Sequence, residues 1–497
     1  MTNPARTTSH LRLSLLIASL SLVIAFASAA PPAGAATCPA GARCGEVTVP
    51  LDRRTPSLGT TQVGYVLVPH RDDGVPAQGT IVPNPGGPGA PATSVGAAER
   101  QFAGLRDRYD LLLIDPPGVG RSTPLECRLP SDLAELGPVG LQDAIGGCGR
   151  SLGPLAGAFG SATVADDFDA VRAALGIDKL DLVGESYGSY LFAVYARRHP
   201  EHVDSLVLSG AYPIDFDTLD RDRAAALRRV LRTVCAKSGG ACKSRTVLGD
   251  LTTTARQLRA HPFTVAVGGS KVRIDEESLA LTAYSGALGP QDIYGILPLA
   301  LHQAASGDDA LLVKLIVTVK QAFDQLFEAG GGVSLALNSA TACHDYPVAY
   351  DRSASIAERR RQFRAALRRA GPAPFAPFSP LAWTRAVGDG GDICIAWPDV
   401  RLGESPDAGD ARPHVPTLVI DGELDTNTPL AAARRAAAQF PGARFVAVPN
   451  VGHTPSSDPT GCADSLIARF IRNRTLGDES CLSRIPPIKV ATAGPAG

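Results

Sequence analysis

The stretch Leu180-Asp181-Leu182-Val183-Gly184-Glu185-Ser186-Tyr187-Gly188 joins an apolar run to a G-x-S-x-G sequence. With the run as a buried strand and the residues behind it opening a helix, Ser186 falls on the strand-to-helix turn. Its hydroxyl is then pushed out to solvent, where a nucleophile belongs. The pattern alone carries little weight. Glycine occurs 51 times in 497 residues, so chance supplies roughly 0.3 matches in such a chain. Gly149-Arg150-Ser151-Leu152-Gly153 is a second match, but it follows Gly146-Gly147-Cys148 rather than a strand and runs into Pro154, so it reads as a loop.

Strands and helices alternate around Ser186. Residues 46–50 and 62–69 alternate and are β-branched, which predicts an opening strand pair. Residues 80–83 predict a short strand running into the turn Asn84-Pro85-Gly86-Gly87-Pro88-Gly89, and residues 110–115 (D-L-L-L-I-D) predict a fully buried strand. Residues 163–175 have helical periodicity, with Thr163 and Asp166 spaced as a capping pair. A helix over 187–198 and a buried strand over 203–208 follow. The alternation predicts an α/β fold, a mostly parallel central sheet with helices on both faces.

From 211 to 413 the rhythm becomes helical, as over 221–234 and 311–328, with Pro/Gly-rich joints near 371–380. The Arg-rich segment 358–369 reads as a solvated amphipathic helix resting on Ile356, Phe363 and Leu367. The sheet pattern returns at 417–420, with a helix over 430–440, a strand over 444–448 and a last helix over 463–472. The tail after Pro486 lacks periodicity and reads as loose. The expected organisation is therefore residues 1–36 as a leader, 37–210 as the first part of the core, 211–413 as a mainly helical cap inserted before the last strands, and 414–497 as the rest of the core.

A serine needs a base to take its proton and an acid to hold that base in the right tautomer. In an open α/β sheet such partners lie in loops after the carboxyl ends of strands. Asp425, in Asp421-Gly422-Glu423-Leu424-Asp425-Thr426-Asn427-Thr428-Pro429, and His453, in Pro449-Asn450-Val451-Gly452-His453, meet this requirement. Their order, Ser, Asp, His, is that of the α/β-hydrolase arrangement. Asp421 is the rival acid, but it sits where its strand is still ending. The oxyanion needs two backbone donors. Tyr187 N–H, just after the nucleophile, and Gly87 N–H, in the Gly-rich turn, fill these roles; Pro88 has no N–H to offer.

The totals bound what surrounds this chemistry. A net charge of -1 gives no reason to expect nucleic acid or an anionic membrane as partner. Basic and polar residues up to Arg12, an apolar stretch over 13–26, and small residues at Ala27-Ser28-Ala29 and Ala33-Gly34-Ala35 predict a signal peptide cleaved after Ala29 or Ala35. The mature protein is expected outside the cell, with no stable membrane insertion, as a monomer. Ten cysteines agree with export. Their spacing invites the pairs Cys38 with Cys44, Cys127 with Cys148, Cys235 with Cys242, Cys343 with Cys394, and Cys462 with Cys481, without settling them. No C-x-x-C occurs and no His stands at ligand spacing from a cysteine pair, so neither metal nor cofactor is expected.

Taken together, G-G-P-G at 86–89, D-x-x-G-x-G-x-S at 115–122, G-E-S-Y-G at 184–188, D-T-N-T-P at 425–429 and G-H-T at 452–454 resemble the secreted actinobacterial tripeptidyl aminopeptidases of the prolyl aminopeptidase family. The resemblance spans nearly the whole mature chain. In the insertion, Cys343-His344-Asp345 and Cys394-Ile395-Ala396-Trp397-Pro398 resemble that group's paired cysteine segments, which strengthens the Cys343 to Cys394 pairing. Two departures stand out: Pro85 replaces a His frequent before G-G-P-G, and Pro117 an Arg frequent in the D-x-R-G segment. The resemblance implies attack by Ser186 on a peptide carbonyl, proton transfer through His453, and an acyl-enzyme of a short N-terminal fragment, a tripeptide. A peptide with a free N-terminus calls for carboxylates to hold its ammonium. Asp345 is offered by family position, Glu185 by its place beside the nucleophile, and Glu276 and Glu277, with Asp275, by local density. Serine carboxypeptidases share export, disulfides, G-G-P-G and G-E-S-Y, but the segment from Asp115 ends G-V-G-R-S and no Cys follows Gly89. An esterase or lipase with the same triad is a second rival, and an inactive binding protein a third.

Overall fold

A computed structural model of the chain describes residues 37–492 except 128, 131–135, 287, 289–291, 328–331, 388–390 and 408–411. The leader expected over 1–36 lies outside the described residues. Ten strands are described, β1 (Arg43–Pro50), β2 (Thr60–Val68), β3 (Gly79–Asn84), β4 (Tyr109–Ile114), β5 (Leu180–Glu185), β6 (Val203–Ser209), β7 (Phe263–Val267), β8 (Ser270–Ile274), β9 (Thr417–Gly422) and β10 (Arg444–Val448). Eight form one sheet in the order β1-β2-β4-β3-β5-β6-β9-β10. β1 and β2 pair antiparallel, as do β2 and β4; from β4 to β10 every pairing is parallel. β5 and β9 read as mostly apolar runs because both faces of a parallel sheet are covered.

The helices are α1 (Val95–Gln101), α2 (Pro138–Leu152), α3 (Ser161–Ala174), α4 (Tyr187–Arg198), α5 (Arg221–Lys237), α6 (Ser244–Ala260), α7 (Glu276–Ser285), α8 (Asp292–Ala305), α9 (Ala310–Phe327), α10 (Leu335–Asp345), α11 (Ile356–Ala370), α12 (Pro380–Val387), α13 (Leu430–Ala438) and α14 (Cys462–Asn473). One sheet face packs on Phe168 of α3, Leu191 of α4 and Ala433 of α13. The other packs on Ala98 of α1 and Leu466 and Phe470 of α14. This is the α/β-hydrolase fold.

Between β6 and β9 the chain builds a separate core from Leu231, Leu251, Leu297, Ile316, Phe363 and Trp383. A smaller cluster joins α2, which precedes Ser186, to α10 and Trp397. Five disulfides close in the sequential pairs that the spacing invites, with Cα–Cα separations of 5.7, 5.0, 5.1, 5.2 and 5.7 Å.

Four details depart from the sequence reading. Ser151 lies in the last turn of α2, not in a loop, and its hydroxyl donates to the Cys148 carbonyl (2.7 Å). α3 begins at Ser161 with no side-chain cap of its own; Asp166 instead binds Arg198 and His199 (2.8 and 2.9 Å), so tertiary contacts override the local pairing. The insertion contains the β7/β8 hairpin, which purely helical periodicity does not anticipate. The tail is also less free than its lack of pattern suggests. Ile488 and Val490 pack on the insertion's core, and Ala491 N–H donates to the Gly295 carbonyl of α8 (2.8 Å).

Candidate active site

Ser186 stands between β5 and α4 with φ 55° and ψ −126°. A non-glycine residue there is strained by about 1–3 kcal/mol, so the surroundings must hold it. They do so by close backbone approach. A Cβ on Gly184 would lie 2.2 Å from the Gly188 carbonyl oxygen, and one on Gly188 would lie 2.3 Å from that of Asn84 in β3. The two glycines of G-x-S-x-G are therefore required by packing. Ser186 N–H is tied to the Ser209 carbonyl (2.9 Å), and its own carbonyl accepts from Ser189 N–H and Oγ (2.9 and 2.6 Å).

Asp425 and His453 follow β9 and β10, at the same carboxyl edge of the sheet. Asp425 Oδ2 is 2.8 Å from His453 Nδ1. Its Oδ1 accepts from Asn427 N–H (2.6 Å) and Thr428 N–H (3.0 Å), and its Oδ2 from the Thr428 hydroxyl (2.7 Å). Burial works against the Asp425 charge, but His453 and these bonds outweigh it and hold the carboxyl at about 2. Burial likewise pushes His453 down, and the Asp425 carboxylate more than reverses this, leaving the imidazole above its ordinary value. Asp421 is fully buried and does not meet the ring. The Gly422 N–H and the Arg229 charge favour its carboxylate form, but less than burial opposes it. Burial and the neighbouring Asp425 charge raise it well above the carboxylate range, which favours its protonated form, able to donate to Asp425.

His453 Nε2 faces Asn427 Nδ2 at 3.1 Å. The Gly86-Gly87 turn presses on the serine from the other side. A Cβ on Gly86 would lie 2.5 Å from the Glu185 carbonyl oxygen and 3.0 Å from both Ser186 Cβ and Tyr187 N. Among the described residues neither Gly87 N–H nor Tyr187 N–H has an acceptor. Two preorganised donors beside a serine are what a developing oxyanion requires.

The five carboxylates expected near a substrate ammonium separate, and Asp275 is spent capping α7, its Oδ1 accepting from Ser278 N–H (2.9 Å). Glu185 lies beside His453; burial pushes it up to about 7 against the opposing His453 charge, and Thr454 Oγ1 is 3.4 Å away. Asp345 is not free for a ligand. Its Oδ2 takes Ser161 N–H (2.7 Å) and Oγ (2.5 Å) and its Oδ1 meets His344 Nδ1 (2.7 Å). It supplies, from α10, the anionic cap that α3 lacks locally. Glu276 is also spent, on Arg259 (2.9 and 2.5 Å) and on Ser379 N–H and Oγ (2.6 and 2.8 Å). Glu277, half-buried, receives no hydrogen bond among the described residues. Burial, reinforced by Asp275, raises it to about 7.

Sequence reasoning missed Asn427, Thr428, Arg223, Tyr212 and Tyr284. The first two lie inside D-T-N-T-P and were within reach of the pattern. The tyrosines and Arg223 carried no signal, because only the folded chain brings them to the loop. Among the described residues one group has metal-like spacing, Asp169, His199 and His202. Its atoms are already engaged: Arg172 Nε and Tyr195 Oη donate to Asp169 (2.7 and 2.8 Å), and Asp166 holds His199 Nε2 (2.9 Å). Among the described residues no helix is long and apolar enough to cross a membrane.

The fold and its relatives define the class: the chain is a serine hydrolase of the α/β-hydrolase fold. Residues 79–240 match the profile of the alpha/beta hydrolase fold, and residues 379–481 that of TAP-like protein. Within the class its sequence is similar to the TAP-like proteins and to Hip1. It is 26% identical over 469 residues to the serine protease Hip1 of Mycobacterium tuberculosis, covering 87% of this chain and 85% of that one. It is 31% identical over 185 residues to the tripeptidyl aminopeptidase of Streptomyces coelicolor, 33% of this chain and 34% of that one. Carboxylesterase B of M. tuberculosis is 28% identical over 479 residues, 88% of this chain and 85% of that one.

Proposed function

We propose that this chain is a secreted serine exopeptidase that releases short peptides, tripeptides, from free N-termini, with Ser186 as nucleophile, His453 as base, Asp425 as its orienting acid and Gly87 and Tyr187 as oxyanion donors. Residues 37–210 and 414–497 form the catalytic core and 211–413 a cap that selects the substrate. His453 takes the Ser186 proton as Oγ attacks the carbonyl, returns it to the departing amine, and then activates water against the acyl-enzyme.

The observation that carries the exopeptidase reading is Glu277. It shares a face of α7 with Tyr284, whose hydroxyl reaches Asn427 beside His453. Two helical turns, about 10 Å, separate them. Its carboxyl, raised by burial despite the Arg385 and Arg273 charges and holding no hydrogen bond among the described residues, is thus a candidate partner for a substrate ammonium on the side of α7 that reaches Asn427. Glu185, closer in, suits a shorter fragment.

A fluorophosphonate probe should label Ser186, and Ser186→Ala should lose both labelling and turnover; full turnover by the alanine variant would end the serine-hydrolase mechanism. Glu277→Gln should raise KM for free tripeptide amides about tenfold or more, as expected for a lost charged hydrogen bond, and leave N-acetylated esters unaffected. The length of Carboxylesterase B similarity favours one second reading, an ester hydrolase with the same triad. Mass spectrometry of a mixed peptide pool decides between them: fragments cut from free N-termini support the first, and an untouched pool with rapid ester turnover supports the second.

A further inference from the structure

We infer that Asn427 is a positioning residue that clamps the Nε2 atom of His453 in the free enzyme, fixing the ring's tautomer and opposing its protonation. The inference rests on His453 being the base, as proposed above. The amide's orientation follows from its neighbours. Arg223 Nη2 donates to the Tyr212 hydroxyl (2.8 Å), and a guanidinium can only donate. The Tyr212 hydroxyl in turn donates to Asn427 Oδ1 (3.2 Å), as does the Tyr284 hydroxyl. Arg223 Nε further pins the Asn427 carbonyl (2.8 Å). With Oδ1 the acceptor, Nδ2 is the atom that faces His453 Nε2 at 3.1 Å.

An N–H donor against Nε2 requires a lone pair there. The proton then sits on Nδ1, directed at Asp425 Oδ2 (2.8 Å). No hydrogen bond joins Ser186 Oγ to the ring among the described residues, so the serine must displace the amide before it can hand over its proton. In the imidazolium, an Nε2–H would point at the Asn427 N–H₂ group, which disfavours that state. The other charged groups facing the ring are Asp425 from the loop after β9, Glu185 from the end of β5 and Arg223 from α5. The two carboxylates favour the imidazolium; Arg223 and the Asn427 clamp oppose them.

The test is a ¹⁵N titration of His453 by NMR, run beside the pH profile of kcat/KM, for the wild type, Asn427→Ala and Asn427→Asp. The free wild-type ring should titrate from the Nδ1–H tautomer. Asn427→Ala should raise its pKa by about one unit, the worth of one neutral hydrogen bond. Asn427→Asp keeps the shape and Oδ1 but replaces the donor with an anion, and should raise it further. The acid limb of kcat/KM should move up in the same order. An unchanged ring pKa in folded Asn427→Asp would overturn the clamp. A ring pKa that shifts while the acid limb stays in place would uphold the clamp and overturn the assignment of His453 as the base.

Discussion

At the scale of single residues the site sorts look-alike groups by environment. Asp421 and Asp425 lie four positions apart, both fully buried. Asp425 is met by His453, Asn427 and Thr428 and is held at about 2, whereas burial and its neighbour's charge push Asp421 well above the carboxylate range. The sequence could favour Asp425 only by its place past the strand end; the hydrogen bonds supply the physical reason. A carboxyl whose folded pKa is raised contributes stability below its unfolded pKa, about 3.9, and that contribution is lost as pH rises toward the folded value. Asp421→Asn has no charge to suppress and can still donate to Asp425. Its melting temperature should exceed the wild type's at pH 7 and above, and the difference should vanish below about pH 4. Hydrolytic activity should be retained, and thermal melts across that pH range with paired assays check both. A variant no more stable at pH 8 than the parent would show that Asp421 is not held neutral.

At the scale of elements, the strand-turn-helix around Ser186 was legible because its signals are contiguous in sequence, although Asn84 of β3 and Ser209 of β6 also hold it in place. An apolar run, two glycines and a helical pattern predict the turn, and the contacts of Gly184 and Gly188 explain why those glycines are needed. The N-terminus of α3 was not legible, because its cap, Asp345, arrives from α10, 184 residues away. The β7/β8 hairpin lay within reach, since Phe263 to Ile274 alternates about Gly268-Gly269, a turn signal of the kind that marks hairpins; helical neighbours masked it. The turn also supplies a test. Gly188→Ala places a methyl 2.3 Å from the Asn84 carbonyl oxygen, and neither backbone can yield without moving α4 off β3. Overpacking of this kind costs about 1–3 kcal/mol or more. Expression of the variant should fall, its melting temperature should drop by at least about 3 °C, and fluorophosphonate labelling of Ser186 should be lost. Labelling at the parental rate would mean that the turn tolerates a displaced helix.

At the scale of the whole molecule, the sheet and the edge that carries Ser186, Asp425 and His453 could be read because parallel strands recur as mostly apolar runs. The insertion could be read only as helical, because its packing is decided by contacts between distant segments. Tyr284 and Arg223 show the consequence: both come from the insertion, and both reach the Asp425 loop that the core supplies. Cap and core are thus coupled at the site itself. The tail couples them again. After α14 the chain leaves the core, places Ile488 and Val490 on the insertion's hydrophobic cluster, and bonds Ala491 to Gly295 in α8. It acts as a strap across the two parts of the molecule. Burying two partly covered aliphatic side chains is worth about 1–3 kcal/mol together, enough to change the local stability of α8 without unfolding the sheet. Truncation after Ile485 should therefore leave the core intact, with Ser186 still reactive toward a small fluorophosphonate. Amide hydrogen exchange in α8 should rise about tenfold or more, because local opening tracks the free energy that closes it, while exchange in β5 and β9 stays at the parental level. Unchanged protection of α8 in the truncated chain would show that the strap carries no load; a rise shared equally by β5 and β9 would mean that cap and core open as one cooperative unit.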